Sequence, residues 1–217
     1  MNTYFGSKKS LATNSDESAS DDDSSHIYRE NNHIYFYSEI DRKSVSSLVK
    51  LIREAEEYCF LTAFKLTIEP SNIPIFLHIS SLGGYIYDAF IAVDVIQRCR
   101  VPIYSIAEGS VASAATLLTI VCKKRFVCPN AHILVHQLSS EFFGKMNEIK
   151  DEFANLSDTM KLLKKMYIEH TSFSEKKLER LLKHDLMLSA KKAIKYNLAD
   201  ELYQYNSSPQ MKISPSK

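Results

Sequence analysis

The sequence predicts an α/β domain built from parallel strand–helix–strand units. Three observations carry that expectation. Short β-type runs alternate with amphipathic helical stretches through the middle of the chain. One run, residues 73–79, is mostly apolar, as a strand buried on both faces has to be. The connections between runs are long enough for right-handed crossover helices. A length of 217 residues suits one domain of ordinary size with room for tails.

The elements follow in chain order. Residues 1–25 are rich in Ser, Asp and Asn and include Asp21-Asp22-Asp23-Ser24-Ser25. They hold too little apolar surface to offset the entropy of ordering, so a disordered acidic tail is expected. Residues 206–217 read the same way, which leaves 26–205 as the folded domain. Its first clear strand is 33–37. Asp41 or Ser44 can cap a helix whose apolar face uses Val45, Leu48, Ile52, Ala55 and Cys59. A polar break at Glu69-Pro70-Ser71-Asn72 ends that unit. The apolar strand 73–79 then runs into Ser80-Ser81-Leu82-Gly83-Gly84, followed by a helix with Ile86, Ala89, Phe90, Val93 and Ile96 on one face.

Residues 102–106 form the next strand. A glycine turn at Gly109 is expected after it, then a helix over 113–122, with Ser110 as a turn residue that tolerates alanine. Strands at 124–127 and 132–136 complete the parallel pattern, and an extended stretch, 137–145, follows. From Met146 to His170, apolar residues recur at alternating intervals of three and four. This predicts a helix ~37 Å long with one apolar stripe, suited to a core or a partner subunit. Ser174 opens a second helix, Asp185 falls in the loop after it, and Ser189-Ala190 begins a last short helix.

Bulk properties exclude several classes. Lys and Arg total 27 against 26 Asp and Glu, and a net charge of +1 predicts no strong field for nucleic acid or anionic membranes. Four scattered cysteines without a C-x-x-C pair read as reduced, buried thiols. No h-region of a secretory signal and no apolar run of spanning length are present, so a soluble, cytoplasmic or otherwise intracellular protein is expected.

Serine acyl transfer needs a nucleophile, a base, an acid to orient the base, and donors for the oxyanion. Ser113 sits at a strand-to-helix junction, His136 at the end of an apolar strand, and Asp185 in a loop between helices. Gly83-Gly84 ends a buried strand, where loops of parallel sheets build ligand sites. Each has a plainer role open to it: small residues for close packing, a glycine pair for a turn, a structural histidine, a capping aspartate. Composition and spacing alone leave those roles open.

The joint order of the motifs resembles the ClpP family of serine peptidases. They are Ser80-Ser81-Leu82-Gly83-Gly84, Gly109-Ser110-Val111-Ala112-Ser113-Ala114, Pro129-Asn130-Ala131-His132-Ile133-Leu134-Val135-His136-Gln137, and Asp185-Leu186-Met187-Leu188-Ser189-Ala190. Ile168-Glu169-His170-Thr171 and the stretch from Ala193 to Asp200 add to it, and the likeness covers residues 33–203.

The resemblance implies a crotonase/ClpP-like fold with an extended handle strand and a long handle helix. It also implies Ser113 as nucleophile, His136 as general base and Asp185 as the orienting acid. The backbone N–H groups of Gly84 and Ala114 become oxyanion donors, and no cofactor or metal is needed. Expected partners are other copies of the chain in stacked heptameric rings, an ATP-driven AAA+ unfoldase, and unfolded polypeptide. The alternative is a non-catalytic ring subunit for assembly or docking. Leu82 stands where the family usually has proline, Ala114 where methionine commonly follows the serine, and Leu138 where proline follows His-Gln.

Overall fold

A computed structural model describes residues 26–204 together with the backbone of Tyr4 and Phe5. The remainder of the Ser/Asp-rich stretch 1–25, and the C-terminal stretch 206–217, lie outside the described residues. Tyr4–Phe5 form a short strand, β1. The domain then opens with a hairpin of Ile27–Glu30 (β2) and His33–Phe36 (β3), paired antiparallel. A strand therefore precedes the first one expected, 33–37. Asn31, at φ +55, and Asn32 make the two-residue turn between the strands.

Helix α1 spans Arg42–Leu66 and buries the expected face of Val45, Leu48, Ile52, Ala55 and Cys59. Asp41 is its cap. The Asp41 carboxylate accepts the Ser44 N–H at 2.7 Å, and Ser44 Oγ accepts the Asp41 N–H at 2.9 Å, so two end donors are satisfied reciprocally. Asp41→Ala should lower stability by about 1 kcal/mol. An unchanged midpoint in chemical denaturation would show that the cap contributes nothing.

The sheet continues with β4 (Ile75–Ser81), β6 (Ile103–Ala112), β7 (Lys124–Val127), β8 (His132–Leu134), β9 (Leu188–Ser189) and β10 (Glu201–Leu202). The order β10-β7-β6-β4-β3-β2 runs across it, with β8 paired to β6 and β9 to β8. All pairs from β3 to β10 in that row are parallel. Between β4 and β6 lie the two-residue strand β5 (Gly84–Tyr85) and helix α2 (Ile86–Arg98).

β6 is the backbone of the site and departs from expectation. It does not end at Ile106 but runs to Ala112, and Gly109, left-handed at φ +52 as a turn glycine is, makes a bulge within it rather than ending it. Its first half, Tyr104–Ala107, pairs with β7, and its last three residues pair with β8. A register shift against β4 between Ile79 and Ser81 accompanies this change of neighbour. Pairing of Ser110 with His132 of β8, and of the next residue, Val111, with Ser81 of β4, is what keeps Ser110 in a strand rather than a turn. Helix α3 is correspondingly shorter than expected, Ala115–Ile120, and Ser113 precedes it.

Helices α1, α2 and α3 cover one sheet face through Ile34, Phe36, Ile75, Leu77, Ile79 and Leu117, all fully buried. Residues 135–145 then lead to α4 (Met146–His170), whose bounds match the apolar stripe. The stripe divides along the helix. Leu163 and Tyr167 are fully buried in the core, where α4 packs on α3, whereas Met146 and Phe153 are 67% and 73% exposed. α5 (Glu175–Leu182) follows Ser174, which caps it by accepting the Lys177 N–H, and α6 is Ala190–Lys195. Among the described residues no helix is long and apolar enough to cross a membrane.

Candidate active site

The C-terminal ends of parallel strands converge on Ser113. This residue is completely buried and has φ +60, a left-handed conformation that L-residues with side chains adopt reluctantly. Three contacts hold it there. Its N–H donates to the Leu134 carbonyl at 2.9 Å, which extends the β6–β8 ladder by one residue. Its carbonyl accepts the Thr116 N–H at 3.0 Å and the Thr116 hydroxyl at 2.6 Å. The Thr116 hydroxyl has a single hydrogen, committed to Ser113, so the contact with Tyr167 from α4 is a donation by the tyrosine. The chain of Tyr167, Thr116 and Ser113 fixes the turn from below. No periodicity or motif flagged Thr116 or Tyr167 for this role; only the packing of α4 on α3 brings them together.

Gly83 closes the other side. A Cβ at this position would come within 2.6 Å of the Ser113 Cβ and 3.0 Å of its Oγ. Glycine is required because the loop after β4 and the serine turn approach at backbone distance. Gly84 follows in β5, and Ala114 stands at the start of α3, where the first amides of a helix have no intrahelical acceptor.

His136 lies two residues beyond Leu134, the residue that anchors Ser113, and is 9% exposed. Burial holds its imidazole below the ordinary value of 6.5, and the Asp185 carboxylate pulls it partway back. The His136 Nδ1 to Asp185 Oδ1 distance is 3.7 Å. Asp185 comes from the loop after α5, which is tied to the histidine segment by the Gln137 N–H on the Leu182 carbonyl at 3.1 Å. Its side chain is 79% exposed, so the ion contact is open to solvent. The structure thus brings His136 and Asp185 together and hangs Ser113 on the strand that leads into His136.

A cavity of about 430 Å³ opens on this region. Leu82, Ala112, Leu134, Leu138 and Met187 give it apolar walls, and His136 and Asp185 lie on its lining. Two of the three departures from the family pattern, Leu82 and Leu138, therefore shape the cavity rather than the reacting groups.

A second titratable cluster sits on the sheet face away from α1. His33 Nδ1 meets His78 Nε2 at 3.0 Å, His78 Nδ1 meets Glu108 at 2.8 Å, and Tyr37 donates to Glu108 at 2.5 Å. Burial opposes ionisation of Glu108, but the His78 and Tyr37 hydrogen bonds outweigh it and hold the carboxyl below its ordinary value. His33 begins β3 and Tyr37 follows it, His78 lies within β4 and Glu108 within β6, three adjacent strands, and their spacing in sequence signals nothing. Among the described residues no group of three or more His, Cys, Asp or Glu side chains is placed to hold a metal ion.

Comparison with known proteins adds three findings. The Clp protease family pattern matches residues 15–206. The ATP-dependent Clp protease proteolytic subunit 2 of Treponema denticola is 34% identical over 131 residues. That match spans 59% of this chain and 66% of that protein, just short of two thirds of its length. A solved structure of a ClpP1 mutant from Listeria monocytogenes superposes with a TM-score of 0.66 over 78% of this chain and 90% of that one. At 23% identity, this second likeness speaks for the fold: the mixed sheet and its helices are arranged as in that protein.

Proposed function

The chain belongs to the Clp protease family, and from that premise we propose that it is a serine endopeptidase cleaving unfolded chains or peptides inside an oligomeric chamber. One observation carries the reading. The left-handed Ser113 turn is bonded to the strand that delivers His136, and the Nδ1 of that histidine faces Asp185.

The roles follow from the chemistry of each group. Burial keeps His136 neutral at pH 7, so it is available as a base. With Nδ1–H directed at Asp185, the lone pair of Nε2 is left to take the Ser113 hydroxyl proton. Ser113 Oγ then bonds to the scissile carbonyl carbon, whose oxygen becomes an oxyanion held by the Gly84 and Ala114 N–H groups. His136 returns the proton to the leaving amine, and water, activated by the same histidine, releases the acyl group.

Hydrolysis of a fluorogenic peptide across pH tests this reading. kcat/KM should fall as pH drops through a limb below 6.5, because protonated His136 cannot accept the serine proton. Asp185→Asn removes the group that raises the imidazole, so the limb should move to lower pH. The rate should fall about 10²-fold, less than for a buried triad acid, since an exposed carboxylate acts across solvent. Absence of hydrolysis at every pH would contradict the proposal.

Assembly is part of it. The uncovered half of the α4 stripe, with Met146, Ile149 and Phe153, supports packing against further copies in stacked rings, heptameric as in the family. An AAA+ unfoldase would then supply ATP dependence, and a soluble intracellular compartment suits both partners.

A further inference from the structure

The strand beside Ser113 already has a partner. β1 runs antiparallel to β5, with Tyr4 opposite Tyr85 and Phe5 opposite Gly84. The other edge of β5 is closed by Ile40. Its carbonyl accepts the Tyr85 N–H at 2.8 Å, and its N–H donates to the Gly83 carbonyl at 2.8 Å, which makes a parallel bridge across Gly84. Hydrogen-bonding groups of successive strand residues point to opposite edges. The N–H and C=O of Gly84 itself therefore face away from Ile40, toward β1. Phe5 lies across the glycine whose amide is the proposed oxyanion donor.

An extended peptide that docks by strand addition needs a free edge. β5 has two edges, one taken by Ile40 and one by β1, so an added substrate strand and β1 exclude each other. The connection does not forbid a partner within the same chain. Twenty-one steps separate Phe5 from His26, a reach of up to ~70 Å when extended. A folded domain of this size has a radius of gyration of only about 16 Å.

The geometry points to Tyr4–Phe5 as an occupant, in cis, of the peptide-binding edge beside Ser113, which a substrate must displace. The pairing is independent of the chemistry at Ser113, and only its consequence for catalysis rests on the peptidase reading. The contact is two residues long, so it competes rather than locks. Its effect belongs in KM, because a displaced segment leaves the acylation step unaltered.

Two measurements on the full-length protein decide the matter. Since Gly84 and Phe5 form the hydrogen-bonded pair, Tyr4 and Tyr85 form the closer, non-hydrogen-bonded pair, with Cα atoms about 4.5 Å apart. That spacing accepts a disulfide. The double variant Tyr4→Cys, Tyr85→Cys should form an intrachain cross-link under mild oxidation, and neither single variant should. Deleting residues 1–10 should lower KM for a short peptide about fivefold at unchanged kcat. Absence of the cross-link, a cross-link formed only between chains, or an active deletion variant with unaltered KM would each overturn the inference. If neither the intact nor the shortened protein hydrolyses peptide, the peptidase reading has failed. The cross-link alone then decides whether β1 holds this edge.

Discussion

Ser113→Ala is expected to lower kcat for peptide hydrolysis by at least about 10³-fold while leaving the fold intact, since it removes the proposed nucleophile and little else. The side chain is fully buried and its hydroxyl is one atom, so the packing loss is small. The Ser113 backbone contacts to Leu134 and Thr116 do not involve the hydroxyl and survive the substitution. Ser110→Ala is the matching control. Ser110 Oγ is buried without a hydrogen-bond partner among the described residues, so its removal should leave both rate and stability near the parent or slightly raise stability. Equal hydrolysis by the parent and Ser113→Ala would refute the assignment of the nucleophile.

Gly84→Ala should be comparably damaging for a different reason. Gly84 has φ +150, and a Cβ there would overlap the Ile40 carbonyl oxygen, a backbone atom with no freedom to rotate away. Relief requires β5 to part from Ile40, which breaks the bridge on which the strand depends. Stability should drop by roughly 2–4 kcal/mol. Displacing Gly84, a proposed oxyanion donor, should also reduce kcat by about 10²–10³-fold. Thermal unfolding and hydrolysis measured on the same preparation separate the two effects. A variant with parental stability and rate would mean that β5 can shift freely, and would remove Gly84 from the site.

The parts of the fold legible in the sequence are those governed by local rules. Asp41 with Ser44, the 3.6-residue stripe of α1, and the start and end of α4 all follow from side chains acting on their own helix. Elements set by pairing partners were harder to read. β6 contains Gly109 and Ser110, residues of turn character; Gly109 is left-handed at φ +52 and bulges the strand against β4, yet the strand continues because β4, β7 and β8 each claim part of it. β2 is four residues long, and only Asn31-Asn32 before the alternating run of β3 signals its hairpin. β9 and β10 are two residues long and have meaning only as neighbours of β8 and β7.

The candidate site divides in the same way. Ser113, His136 and Asp185 were singled out by the joint order of their motifs, and the geometry places His136 against Asp185 and the Ser113 turn against Leu134. Thr116 and Tyr167, which hold that turn, could not be found by reading along the chain. They are 51 residues apart and meet through helix packing. The left-handed backbone at Ser113 was equally hidden, because it arises from tertiary contacts rather than from the identity of the residue.

The central claim is that Ser113 is a nucleophile activated by His136. Its most direct measurement is reaction of the assembled protein with a fluorophosphonate, followed by mass analysis of the labelled peptide. A single adduct on Ser113, lost in His136→Ala, is the predicted result. Persistent failure to label, or an adduct on another residue with Ser113 unmodified, would contradict it.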